Sequence, residues 1–221
     1  VYAFTFIGGI FADKILGFRK SLFWGGILMI IGSLILATNP HDYFFLGISF
    51  TVVGTGFFKP NISTMVGKLY KANDSRTDAG FSLFYAGINL GALLGGYLCI
   101  AIGKGEMFSD LIPEHKRWNV AFGLAAIVMV ISLINFIFTQ RQLGPIGLQP
   151  QKLNSDGTFS PLDKWKEYGV YILSLVFIPL IMIMVSVPQY TDYFMWTVGP
   201  LTLLYLFYEM TKVTSQERKK L

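Results

Sequence analysis

GFSLFYAGINLGALLGGYLCIAI, from Gly80 to Ile102, contains no charged residue and is longer than the ~20 residues a helix needs to cross the hydrocarbon core of a bilayer. Within it Ser82, Tyr85 and Asn89 stand at helical spacing, while Gly87, Gly91 and Gly95 form an overlapping GxxxG row. Small residues let two helices approach closely in lipid, and polar ones need partners there. On residue types alone Tyr85 and Asn89 fit hydrogen bonding between helices as well as they fit a substrate site, and the glycine row speaks only for packing.

Working outward, six more apolar stretches appear: Val1 to Ala12, Leu22 to Ala37, Tyr43 to Tyr70, Trp118 to Thr139, Tyr168 to Val187 and Tyr193 to Met210. Several are flanked by Tyr or Trp, the residues that anchor spans at the lipid–water boundary. The 221 residues are 53% hydrophobic and 14% charged, against roughly 25% charged in a soluble domain, and the mean hydropathy is +0.53. Because the apolar stretches recur along the chain, a secretory signal peptide does not explain them. The expectation is an all-α, polytopic transmembrane helix bundle, integral to the plasma membrane and, in a bacterium, the inner membrane.

Orientation follows from the basic residues, which stay with cytoplasmic loops. Alternate loops hold Lys14, Arg19 and Lys20; Lys68, Lys71 and Arg76; Arg141, Lys152, Lys164 and Lys166; and Lys212, Arg218, Lys219 and Lys220. The opposite loops hold only Lys104, Lys116 and Arg117, beside Glu106, Asp110 and Glu114. The first segment therefore runs from outside to inside. Residues 140–167, rich in Pro, Gly, Ser and Asn, read as a cytoplasmic linker between five helices (1–139) and a two-helix hairpin (168–212). A half-length opening segment and a basic stretch at 213–221 suggest further helices on either side.

The net charge of +5 does not point to nucleic acid, since no basic face is interleaved with aromatics. His41 and His115 lack metal-ligand spacing, and no glycine loop followed by Lys-Ser or Lys-Thr is present to cradle ATP phosphates. The lone Cys99 sits in an apolar run and reads as a packing residue. Nothing in the chain suggests an enzyme, a metal or an organic cofactor.

The residue most in need of a reason is Lys59, within Gly54-Thr-Gly-Phe-Phe-Lys-Pro-Asn61, because an ionisable group inside a span costs at least ~2.5–3.5 kcal/mol on insertion scales. Thr51, Thr55, Lys59 and Ser63 recur every four residues, a polar stripe expected to face a cavity. Pro60 has no N–H for the carbonyl of Gly56, which leaves an acceptor nearby. A lysine that snorkels to the interface is the alternative. Further upstream, Gly8-Gly-Ile-Phe-Ala-Asp-Lys-Ile-Leu-Gly-Phe-Arg-Lys20 sets a carboxylate at a helix end beside a glycine turn and cations. Asp13 can accept from a neighbouring helix N-terminus, and Tyr2, Gly9 and Asp13 share a face; a solvated turn is the other reading.

Together these stretches resemble the proton-coupled oligopeptide transporter family of the major facilitator superfamily. Phe81 to Leu93 looks like its fifth-helix motif, Gly56-Phe-Phe-Lys-Pro-Asn61 like its fourth-helix motif, and Gly8 to Lys20 like the superfamily's loop motif between helices two and three. Asp13 and Gly17 stand one residue further apart than the general pattern, and Ser21-Leu22 replace more usual residues. The resemblance implies an incomplete N-terminal half, helices two to six plus the hairpin found between halves in bacterial members, with helix one and the C-terminal half as missing partners. It also implies alternating access driven by protons, with the proton as coupling ion, and a di- or tripeptide substrate lined by Tyr2, Lys59, Tyr85 and Asn89. Gly9, Asp13, Gly17 and Arg19 would belong to a cytoplasmic gate. Relatives that move nitrate, and a non-transporting membrane scaffold, are the competing implications.

Overall fold

The computed structural model describes residues 2–71, 73–153, 159–161 and 164–212. Each expected apolar stretch forms a helix: α1 (Tyr2–Phe11), α2 (Phe18–Thr38), α3 (Phe44–Lys68), α4 (Thr77–Lys104), α5 (Arg117–Thr139), α6 (Lys164–Ser186) and α7 (Pro188–Lys212). A π-helical turn, Ala12–Leu16, joins α1 to the turn before α2. Between α5 and α6 the chain makes a 3₁₀ turn at Gln140–Leu143 and a short antiparallel pair, β1 (Gln151–Leu153) with β2 (Phe159–Pro161). The expected linker 140–167 thus carries local structure, and its last residues, Lys164 to Glu167, already belong to α6. The basic stretch at 213–221 lies outside the described residues.

Among the described residues, four helices are long and apolar enough to cross a membrane: α2, α4, α5 with its flanking turns, and α6. Many large apolar side chains are exposed on them, among them Leu83, Leu93, Tyr97, Ile131 and Ile172. A helix apolar on all sides needs lipid or protein around it. α3 is long enough as well, but Lys59, Asn61 and several hydroxyls dilute its apolar run.

The chain divides into two compact units, residues 1–179 and 180–221. The first is organised around α2 and α3, which touch backbone to backbone. A methyl group on Gly25 would lie 2.6 Å from the carbonyl oxygen of Gly54, and one on Gly54 would lie 2.6 Å from that of Gly25. One turn-pair further along, the same is true of Gly32 towards Gly47. Without a hydrophobic drive between helices in lipid, this closeness supplies the dispersion contacts that hold them. α1 joins through Gly8, set directly on the Gly56 carbonyl, and through Phe4 and Phe11, whose rings pack with Phe57 at centroid distances of 6.2 Å. Phe57, Leu28 and Val53 are fully buried as a result.

α5 closes onto α2 from the other side. Leu133 fills the space beside Gly26, and the Asn119 amide donates to the carbonyls of Ala37 and Thr38 at 2.8 and 2.9 Å. Those two carbonyls are among the orphan acceptors at the end of α2. α4 meets α5 where the Trp118 ring covers Gly103 and meets α3 where Phe81 and Tyr70 pack at its start. Between these ends, a methyl group on Gly87, Gly91, Gly95 or Gly96 would meet nothing within 4 Å. In the second unit, Thr191 donates to the Met184 carbonyl at 2.7 Å across the α6–α7 turn.

Two glycine sets therefore separate by experiment. Gly54→Ala forces a methyl group into the α2–α3 contact and is expected to lower stability by ~1–3 kcal/mol, whereas Gly91→Ala leaves it unchanged or raises it. Thermal unfolding in detergent, followed by size-exclusion chromatography, measures both.

Candidate functional site

The turn between α1 and α2 shows how the loop motif folds. The Gly17 N–H donates to the Ala12 carbonyl at 2.9 Å, five residues back, so the backbone makes a π turn. Such a turn holds one residue more than an α turn and tends to sit at functional positions. It absorbs the extra residue between Asp13 and Gly17. Gly17 itself has φ of 76°, and a methyl group there would lie 2.7 Å from the backbone of Leu148. Glycine is required twice over, by the conformation and by the close approach. Ser21 and Leu22, the departures from the usual motif, are both buried.

Asp13 does not cap α2, and its exposed place fits the solvated turn, the other reading open for it. No side-chain oxygen caps that helix; its Arg19 N–H donates instead to the Gly147 carbonyl at 3.0 Å. The π turn carries Asp13 away to an exposed place on a groove of about 470 Å³ between α1 and α3. Thr5, Phe6, Gly9, Ile10 and Asp13 line it from α1 and its turn, and Pro60, Asn61 and Thr64 from α3. The groove unites two of the motifs singled out in the sequence, at Gly9 and Asp13 and at Pro60 and Asn61. Thr5, Phe6 and Thr64 were not singled out, although the helical spacing from Gly9 and from Pro60 would have found them.

Asn61 is 1% exposed. Its side-chain amide donates to the Phe57 carbonyl at 2.6 Å, and Thr64 bonds the Pro60 carbonyl at 3.0 Å, so the polar groups around the proline are met within α3. The Gly56 carbonyl released by Pro60 serves packing, since α1 seats Gly8 on it.

Lys59 is exposed next to this groove in sequence but does not line it. The polar stripe that contains it is not one face. Four-residue steps advance about 40° around the helix, and Thr51 bonds the Gly47 carbonyl and packs against Gly32 of α2 while Lys59 is exposed. Tyr85 is 54% exposed, with Phe81 and Phe84 as ring neighbours at 6.4 and 5.5 Å, and Asn89 is exposed on the same helix. Neither lines the groove. Tyr2 opens α1, and its side chain lies outside the described residues.

On the α3–α4 loop, Asp74 accepts from the Arg76 guanidinium at 2.9 and 3.1 Å. Those bonds hold the carboxyl below its ordinary pKa and raise that of Arg76. A lowered carboxyl pKa stabilises at neutral pH and is lost only as the pH falls through it.

Residues 19–194 match the family model described as PTR2, POT family. The chain belongs to the POT family. A di-/tripeptide transporter of Lactococcus lactis subsp. lactis (strain IL1403) is 31% identical over all of this chain and 44% of its own length. One of Lactobacillus helveticus is 35% identical over 75% of this chain and 33% of its own length. Among solved structures, a peptide transporter POT mutant in complex with alafosfalin aligns with a TM-score of 0.68 at 29% identity, over 99% of this chain and 42% of the other. A POT family transporter in complex with 5-aminolevulinic acid aligns with a TM-score of 0.66 at 33% identity, over 98% and 44%. The POT chain described here thus spans less than half the length of these relatives and is a membrane-integral helix bundle of their fold.

Within that fold Asn61 is the buried polar group whose removal is most informative. Asn61→Ala deletes the bond to Phe57 beside the proline and is expected to lower stability by about 1 kcal/mol, whereas Thr64→Val, at an exposed position, changes it little; thermal melts of the two variants make the comparison.

Proposed function

We propose that this chain, together with the part of the POT fold it does not span, carries out proton-coupled symport of di- and tripeptides across a bacterial plasma membrane. The observation that carries the proposal is the match of the whole chain to proteins named as di-/tripeptide transporters. Alternating access would rock this bundle against a second one about a central site. Lys59 supplies the cation. It would pair with the peptide carboxylate or with a coupling carboxylate outside this chain, and protonation of that carboxylate would hand the lysine to the substrate.

Tyr2, Tyr85 and Asn89 complete the proposed site. Phenol and amide groups offer donors and acceptors to a peptide backbone without reading a particular side chain, which suits a carrier of many short peptides. The exposure of Lys59, Tyr85 and Asn89 supports this reading, since a substrate must reach them. Gly9, Asp13, Gly17 and Arg19 are proposed as the inner gate, at the π turn. The proton is the coupling ion, and no organic cofactor enters the scheme.

The test is uptake of a labelled dipeptide by full-length protein in proteoliposomes, with and without an inward proton gradient. Wild type is expected to accumulate peptide under the gradient, and Lys59→Ala to fall to the level seen without one. Unchanged gradient-driven uptake by Lys59→Ala would remove the lysine from the mechanism; no dipeptide uptake by wild type would turn attention to a small anion such as nitrate or to a scaffold.

A further inference from the structure

Arg19, one of the residues proposed above for the gate, is held by the segment that follows α5. Its Nε donates to the Ile146 carbonyl at 2.7 Å and its Nη2 to the Gly144 carbonyl at 2.6 Å. Its own N–H reaches the Gly147 carbonyl. The Gln149 amide returns the hold, donating to the Ile15 carbonyl at 2.9 Å inside the π turn, and Gly17 leaves room for the backbone of Leu148. Residues 144–149 therefore lie as a strap across the α1–α2 turn, joined to it largely through backbone groups on one side or the other.

The strap leads to α6, and α6 is fastened to α2 in turn. Lys20 Nζ donates to both Glu167 oxygens, at 2.7 and 2.6 Å, and to Gln149 Oε1 at 3.1 Å. Glu167 also accepts from the Tyr171 hydroxyl at 3.0 Å. The Tyr171 ring lies 4.8 Å from that of Trp24, and the Trp24 indole N–H donates to Ser174 at 2.9 Å. Ser174 is fully buried. A turn further on, Phe177 meets Phe4 of α1 edge to face at 5.2 Å. The contacts on α2 stand at i and i+4, about one turn, and those on α6 at i, i+4, i+7 and i+10, so one face of α6 is used along about three turns.

We propose that Lys20, Glu167, Trp24 and Ser174, with the strap held by Arg19 and Gln149, fasten the first part of α6 permanently to the five-helix bundle, so that residues 1–179 move as one body during transport. The compact unit that ends at Pro179 has the extent this requires. Isolated exposed ion pairs contribute little, but Glu167 is mostly shielded, with 17% of its side chain exposed, and shares its charge between a cation and a phenol. Arg19, on this view, ties the proposed gate to the strap, with Nε and Nη2 given to the Ile146 and Gly144 carbonyls.

The inference rests on the transport reading, and the experiment separates the two. In full-length protein with its native cysteines replaced, Cys99 included, Lys20→Cys and Glu167→Cys are introduced together and bridged with a bifunctional maleimide, and dipeptide uptake is compared before and after bridging. The pair is expected to bridge in high yield and the bridged carrier to take up peptide at an unchanged initial rate. Loss of uptake on bridging would show that α6 must leave α2 during the cycle and would overturn the proposal, as would failure of the pair to bridge. A second measurement needs no transport: Lys20→Glu and Glu167→Lys should each lower the melting temperature, and the combined swap should restore it. Restoration without uptake in any form would leave the fastening standing and the transport reading fallen; no restoration would count against the fastening itself.

Discussion

Everything in the bundle depends on two helices touching through their backbones. Gly25 faces Gly54 and Gly32 faces Gly47 so closely that no side chain fits between, which brings the α2 and α3 axes together and sets the frame on which α1 and α5 pack. In a membrane the usual gain from hiding apolar surface is absent, because lipid tails are as apolar as leucine. What remains is contact density, and small residues maximise it. α1 repeats the device on the opposite side of α3, where Gly8 rests on a carbonyl that Pro60 has released from the helix. The proline therefore weakens α3 locally and strengthens its contact with α1.

Polar groups complete the arrangement by being met where they stand. Ser49, Thr51, Asn61 and Thr64 each bond a carbonyl four residues back in α3, so none of them demands a partner on another helix. Helix ends are treated differently: Asn119 of α5 closes the far end of α2, and the Gly147 carbonyl of the strap closes its near end. α2 is capped at both termini by segments distant in sequence.

The helices were legible because apolar length is written directly in composition. Their ends were less so. Hydropathy reports where the bilayer begins, and Lys164, Lys166 and Glu167 continue α6 beyond that level, so its start was read at Tyr168. Four-residue spacing nearly repeats, so the stripe through Thr51 and Lys59 reads as one face; over the two steps between them the drift reaches about 80°, and Thr51 packs against α2. Which of the two readings of Asp13 holds is decided by the π turn, which no local residue preference announces. The contacts of Arg19 and Lys20 with the α5–α6 segment span more than a hundred residues of chain, and carbonyl acceptors carry no sequence signature at all.

The π turn at Ala12–Leu16 has a consequence for how such chains can be compared. A turn that holds five residues as comfortably as four is an expansion joint: chain length can change there while the helices on either side keep their rotation. In this chain Gly9 lies on the groove and Gly17 under the strap, with the five-residue turn between them. The placement of each residue is set by its own neighbours, the α3 groove for Asp13 and the Leu148 backbone for Gly17, rather than by the distance along the chain between them.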